Sequence, residues 1–146
     1  MSSPIIFRLY PEEDSRLFVR ALVHPTRAAM RDHWRRRVRC GFNGGSWGRR
    51  LAYCTEIRRW TVARRGAPAV RDRCVAEVHM FRSRIGMEIV AHEFLHATEA
   101  WGRRVQFVWS RLGDDDAVNQ DEERLAYVHG RIVRQFVARA YSAGLY

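Results

Sequence analysis

The nine residues RCVAEVHMF, Arg73 to Phe81, alternate cleanly, with Val75, Glu77, His79 and Phe81 on one face and Cys74, Ala76, Val78 and Met80 on the other. A period of two residues is that of a β-strand. The period then changes at once. From Arg84 to Trp101, Ile85, Ile89, Phe94, Leu95 and Ala97 supply the apolar body of a helix, and Ser83 is placed to cap it. A strand running straight into a long helix, with a second long helical pattern closing the chain, predicts an α+β layout.

The remaining segments fill in that layout. IIFRLY, Ile5 to Tyr10, predicts a first strand, and PEED a turn at Pro11 with acidic residues suited to a helix start. SRLFVRALV places Leu17, Phe18, Ala21 and Leu22 at helical spacing and predicts a first helix, which Pro25 ends at His24. Thr26 is placed to cap a second helix, RAAMRDHWRRRVR, with Ala29, Met30, His33, Trp34 and Val38 on one side. GFNGGSWG predicts a mobile loop and lacks the Lys-Ser/Thr ending of a phosphate-binding loop. LAYCTEIRRWTVA, Leu51 to Ala63, reads as strand, and RRGAPAVRD as a turn or hairpin connection. RLGDDDAVNQD reads as a polar loop and EERLAYVHGRIVRQFVARAY as a long final helix. The expected order is β-α-α-β-β-α-α in a single domain over residues 1–146, with a small, mostly antiparallel sheet packed on the last two helices.

The charge balance adds a possible partner. The formal net charge is +10, and all 26 basic residues are arginine. A GC-rich genome produces such a bias, and arginine also makes bidentate phosphate contacts well. A surface this basic attracts nucleic acid at low salt. The three cysteines, Cys40, Cys54 and Cys74, are odd in number and form no C-x-x-C pair, which predicts free thiols and no cysteine zinc site. The N-terminus has no secretory pattern, and no apolar run approaches the ~20 residues of a membrane span. These features predict a soluble, cytoplasmic protein without a membrane partner.

The helix after the strand carries chemistry. VAHEFLHATEAW holds His92, Glu93 and His96 as H-E-x-x-H. Positions i and i+4 of a helix lie one above the other, so both imidazoles can present to one Zn2+ ion. Glu93 sits about 100° round the helix, where a carboxylate can take a proton from an attacking water and pass it to a leaving amine. Chance produces this pattern in roughly one or two chains in a hundred of this size and composition. The competing reading is a core helix with two satisfied histidines. His24, His33 and His79 have no partner at ligand spacing and read as ordinary residues.

A catalytic zinc takes three protein ligands and keeps one open position. No later histidine follows His96 at the H-x-x-G-x-x-H spacing, so the third ligand comes from elsewhere, and Asp121-Glu122-Glu123 offers carboxylates. Glu123 shares its helix face with small Ala126 and Gly130, on which the histidine helix could pack closely. Glu122 shares its face with Leu125 and His129. Glu123 is the preferred ligand and Glu122 its rival, and an acidic first turn answering the helix dipole is the bland alternative. Glu99 either holds a ring nitrogen of His96 or pairs with Arg103. Tyr127 or His129 could donate to an oxyanion, Tyr127 being preferred of the two, and the competing reading of each is a structural residue.

HEFLH followed some 27 residues later by EERLAYVHG resembles the zincin metallopeptidases, specifically their glutamate-ligand branch. The E-x-x-A portion resembles the compact ImmA/IrrE-like metallopeptidases, and the short upstream region is similar to small zincins encoded by tailed phages. The resemblance covers roughly Met87 to Phe136. It implies His92, His96 and Glu123 as zinc ligands, Glu93 as general base, a protein or peptide substrate, and a bacterial host cell if the gene is phage-borne. It also implies that RCVAEVHMF is an edge strand on which substrate lies as an added strand. Two rival classes stand beside it. One is a basic nucleic-acid-binding protein and the other a catalytically silent zincin-fold interaction or virion protein, each with a structural metal site.

Overall fold

The computed structural model describes residues 3–39, 51–57, 60–61, 70–105 and 115–146. The GFNGGSWG loop and most of RRGAPAVRD lie outside them. Four strands form the main sheet in the order β1-β2-β6-β3: β1 (Ile5–Leu9), β2 (Phe18–His24), β3 (Ala52–Glu56) and β6 (Cys74–Phe81). A separate two-stranded ribbon pairs β4 (Trp60–Thr61) with β5 (Val70–Arg71). The helices are α1 (Arg27–Arg39), α2 (Met87–Arg104) and α3 (Asp115–Ser142). The architecture is α+β, with a mostly antiparallel sheet: β1–β2 and β3–β6 are antiparallel and only β2–β6 is parallel.

Three sequence expectations are corrected. SRLFVRALV forms no helix; Phe18–His24 is the strand β2, paired with β1 through Phe7↔Ala21 and with β6 through Ala21↔Val78. Its alternation is hidden because helices cover both faces of the sheet, so both faces bury side chains. Val19, Ala21 and Val23 join the main core, while Leu22 and His24, also buried, alternate with them and point to the face that α1 covers. Within RCVAEVHMF, Cys74–Phe81 is a central strand between β2 and β3, buried along all its length, and among the described residues β3 takes the edge position on that side. Part of RLGDDDAVNQD is helical, since α3 begins at Asp115.

The helix ends follow local chemistry. Thr26 caps α1 as expected, its hydroxyl accepting the Ala29 N–H at 3.1 Å. Ser83 does not cap α2; it sits in a short 3-10 turn, Arg82–Arg84, and extended Gly86 precedes the first turn without a side-chain cap. Helix α3 ends at Ser142; just beyond it Gly144 has a φ of 65°, which suits glycine, and the Leu145 N–H reaches back to the Ala140 carbonyl at 3.0 Å.

Helices α2 and α3 share one face of the sheet, α2 over β6 and β3, and α3 along β1. Their common core holds Phe94 and Trp101 of α2 with Val128, Ile132 and Phe136 of α3, all fully buried. Gln135 clasps the Tyr10 backbone at both its N–H (3.1 Å) and its carbonyl (2.8 Å), fixing α3 beside the end of β1. Helix α1 covers the opposite face through a small apolar cluster of Met30, Trp34, Tyr53 and Phe81. Among the described residues no helix is long and apolar enough to cross a membrane.

Candidate functional site

Helix α2 buries Val90, Phe94, Ala97, Ala100 and Trp101, and leaves His92 and His96 exposed and Glu93 and Glu99 half-buried. The His92 and His96 Nε2 atoms stand 3.3 Å apart, with the rings edge to face. Two tetrahedral zinc ligands at the usual Zn–N distance are separated by about 3.3 Å, so the spacing of the two nitrogens is compatible with a shared ion. Glu99 approaches the other ring nitrogen of His96, its Oε2 lying 3.6 Å from Nδ1. The same carboxylate oxygen is 4.0 Å from Arg103, which also pairs with Glu56 of β3 at 3.3 Å. The two sequence readings of Glu99 therefore coexist: it lies beside both His96 and Arg103.

Glu93 turns toward the sheet edge. With Leu51, Ala52, Glu88, Ile89 and His92 it lines a groove of about 420 Å³ between α2 and β3. A second hollow of about 620 Å³ continues past Leu51, Glu88 and Ile89 toward Arg84. Burial, and after it the Glu93 charge, pushes the Cys54 thiol on β3 well above its usual range. Cys54 thus stands beside the groove as a neutral thiol.

The final helix meets α2 on a different flank. Thr98 lies 3.5 Å from His129, Phe94 packs on Phe136 at 5.2 Å between centroids, and Arg124 stacks over Trp101 at 5.4 Å. At about 100° per residue, Phe94, Thr98 and Trp101 point roughly opposite to His92 and His96. Glu123 is exposed, and among the described residues no third His, Cys, Asp or Glu joins the pair in a group able to hold an ion. The expected packing of α2 on Ala126 and Gly130 is also corrected. Both are exposed, with nothing within 4 Å of a Cβ built at Gly130. Bulky Leu125, Val128 and Ile132 supply the burial and turn the small residues outward. Glu122, exposed too, shares the Leu125–His129 side. Tyr127, 59% exposed, stands beside Arg131, which bonds the Tyr10 carbonyl and Glu13. The structure brings His92, His96 and Glu93 together and does not bring Glu123 or Tyr127 to them.

A second polar constellation joins residues far apart in the sequence. On the α1 face, His24 of β2, His33 of α1 and His79 of β6 lie with ring centroids 4.8 to 5.4 Å apart. His24 Nε2 and His79 Nδ1 are 3.1 Å apart, and Tyr53 of β3 stacks on His79 at 4.3 Å. Glu77 is 3.6 Å from His79 Nε2 and is held by Arg20 at 2.9 Å and by Arg37. Burial alone would raise the Glu77 pKa; the neighbouring His79 and the two guanidiniums outweigh it and hold the carboxyl at about 2. Burial, then the facing histidines and arginines, lowers His24 to about 3 and His33 to about 4. His79 is lowered chiefly by burial, against the pull of Glu77. All three are neutral at neutral pH. The only hint in sequence was the shared β6 face of Glu77 and His79; the partners on β2 and α1 come from far along the chain.

No family model, curated protein or solved structure matches this chain.

Proposed function

We propose that the chain is a zincin-type zinc metallopeptidase that hydrolyses peptide bonds in a protein substrate. The observation carrying this reading is the 3.3 Å approach of the two Nε2 atoms with Glu93 one position round, facing a groove along an edge strand. His92 and His96 would hold Zn2+, which supplies Lewis acidity toward water and a substrate carbonyl. Glu93 accepts the proton of the attacking water and returns it to the leaving amide nitrogen. Glu99 orients His96 through its second ring nitrogen. Among the described residues β3 pairs only with β6, so its outer backbone groups can receive an extended peptide; this moves the substrate strand expected at RCVAEVHMF to β3. The resemblance adds Glu123 as third ligand, and that is the part of the reading which the geometry does not support.

Protein purified without added metal should carry about one zinc per chain, and His92→Ala and His96→Ala should each abolish binding. Zinc well below half-stoichiometric, and not restored by dialysis against zinc, would sink the reading. If Glu123 is the third ligand, Glu123→Ala lowers zinc affinity by more than about 10–100-fold while Glu122→Ala leaves it nearly intact. Unchanged affinity in Glu123→Ala removes that residue from the site and leaves the pair standing.

A nucleic-acid-binding reading has one supporting observation: Arg27, Arg35 and Arg36 of α1 are exposed. Arg37, by contrast, is committed to Glu77 and belongs to the interior. Arg35→Gln with Arg36→Gln should weaken binding equally across sequences and reduce the salt slope by about 2, without changing zinc content. Tight sequence-selective binding at physiological salt would instead make nucleic acid the primary partner.

A further inference from the structure

A sheet covered on both faces ordinarily buries apolar side chains on both. Here the face under α1 holds an imidazole layer, and the apolar cluster beside it is small compared with the α2–α3 core. Each histidine comes from a different element, so the layer ties α1 to β2 and β6. The His24–His79 contact needs one nitrogen to donate and the other to accept, which fully protonated rings cannot do. Charges facing the layer are mostly positive: Arg20 from β2 and Arg36 and Arg37 from α1. Glu77 of β6 is the acidic group among the described residues there, and two guanidiniums already engage it; β3 contributes the neutral ring of Tyr53.

We propose that the imidazole layer is an acid-operated latch: on acidification His24, His33 and His79 take up protons together and α1 leaves the sheet, while α2 and α3 stay in place. The released state hydrates the protonated rings, which the closed layer cannot do. The sign follows from proton binding. Each histidine has its folded pKa below the ordinary 6.5, so the closed state binds fewer protons, and its advantage shrinks as pH falls from about 6.5 toward about 4. Three protons acting together shift the open-to-closed ratio by up to about a thousandfold per pH unit. Release is local because the cluster under α1 is separate from the core that holds the two C-terminal helices. The latch does not depend on zinc.

Peptide-resolved hydrogen exchange from pH 7 to pH 4, corrected for intrinsic exchange, tests it on the full chain. Residues 27–39 should lose protection steeply below about pH 6 while residues 87–104 and 128–142 keep theirs. His33→Gln should move the α1 midpoint to lower pH and reduce the transition from about three protons to about two. His24→Gln should do the same, and His33→Gln alone suffices should that more buried variant not fold. Simultaneous loss in all three helices, an α1 still protected at pH 4, or a His33→Gln profile identical to the parent each overturns the latch.

Discussion

On the proposed reading, Glu93→Gln should retain zinc and lose ~10²- to 10⁴-fold of peptidase activity. Glutamine has nearly the same size and still fills the half-buried position in the groove beside Leu51 and Ala52. What it cannot do is take up the proton of the attacking water. The two imidazoles are untouched, so metal content, measured beside the rate on an unfolded protein substrate, separates loss of chemistry from loss of site. A variant as active as the parent with full zinc would place the base elsewhere. A zinc-loaded parent with no hydrolysis at all would favour the silent scaffold.

The second large effect is structural. Phe94→Ala should destabilise the fold by about 3–5 kcal/mol, because the ring is fully buried between sheet and α3 and packs on Phe136. For a chain of this size that lowers the melting temperature by roughly 10–16 °C. Zinc affinity at low temperature should change little, since Phe94 lies on the flank of α2 away from the histidines. Tyr141→Ala, at a residue 75% exposed, is the control and should stay within about 0.5 kcal/mol. A melting temperature for Phe94→Ala within a few degrees of that control would show that the α2–α3 seam contributes far less than its burial implies.

Local patterns were legible and long-range ones were not. The strand Cys74–Phe81, the cap at Thr26 and the H-E-x-x-H helix each depend on residues within a few positions, and each was readable. In Phe18–His24 the sequence points the wrong way, because Leu17, Phe18, Ala21 and Leu22 imitate a helical stripe. Burial on both faces erases the alternation that marks a half-exposed strand. The rotation of α3 departs from its sequence pattern for a related reason. Small Ala126 and Gly130 suggested close packing, yet burial is decided by the bulk of Leu125, Val128, Ile132 and Phe136. The histidine layer joins residues 55 positions apart at its His24–His79 contact, and spacing rules have no access to such pairs.

The parallel contact of β2 with β6 also governs how the chain reaches its structure. β1 and β2 form from neighbouring segments, and α2 and α3 can meet across one short connection, whereas joining β2 to β6 closes a loop of more than fifty residues. The entropy of that closure must be lost before its contacts form, so this seam is expected to set the folding rate. Substitutions at Ala21 or Val78, which face each other across it, should slow folding more than they speed unfolding. Those at the α3 terminus, such as Leu145, should act mainly on unfolding. Until the seam closes, β2 and β6 are apolar strands with unpaired backbone, and the newly made chain is most prone to aggregate in that interval.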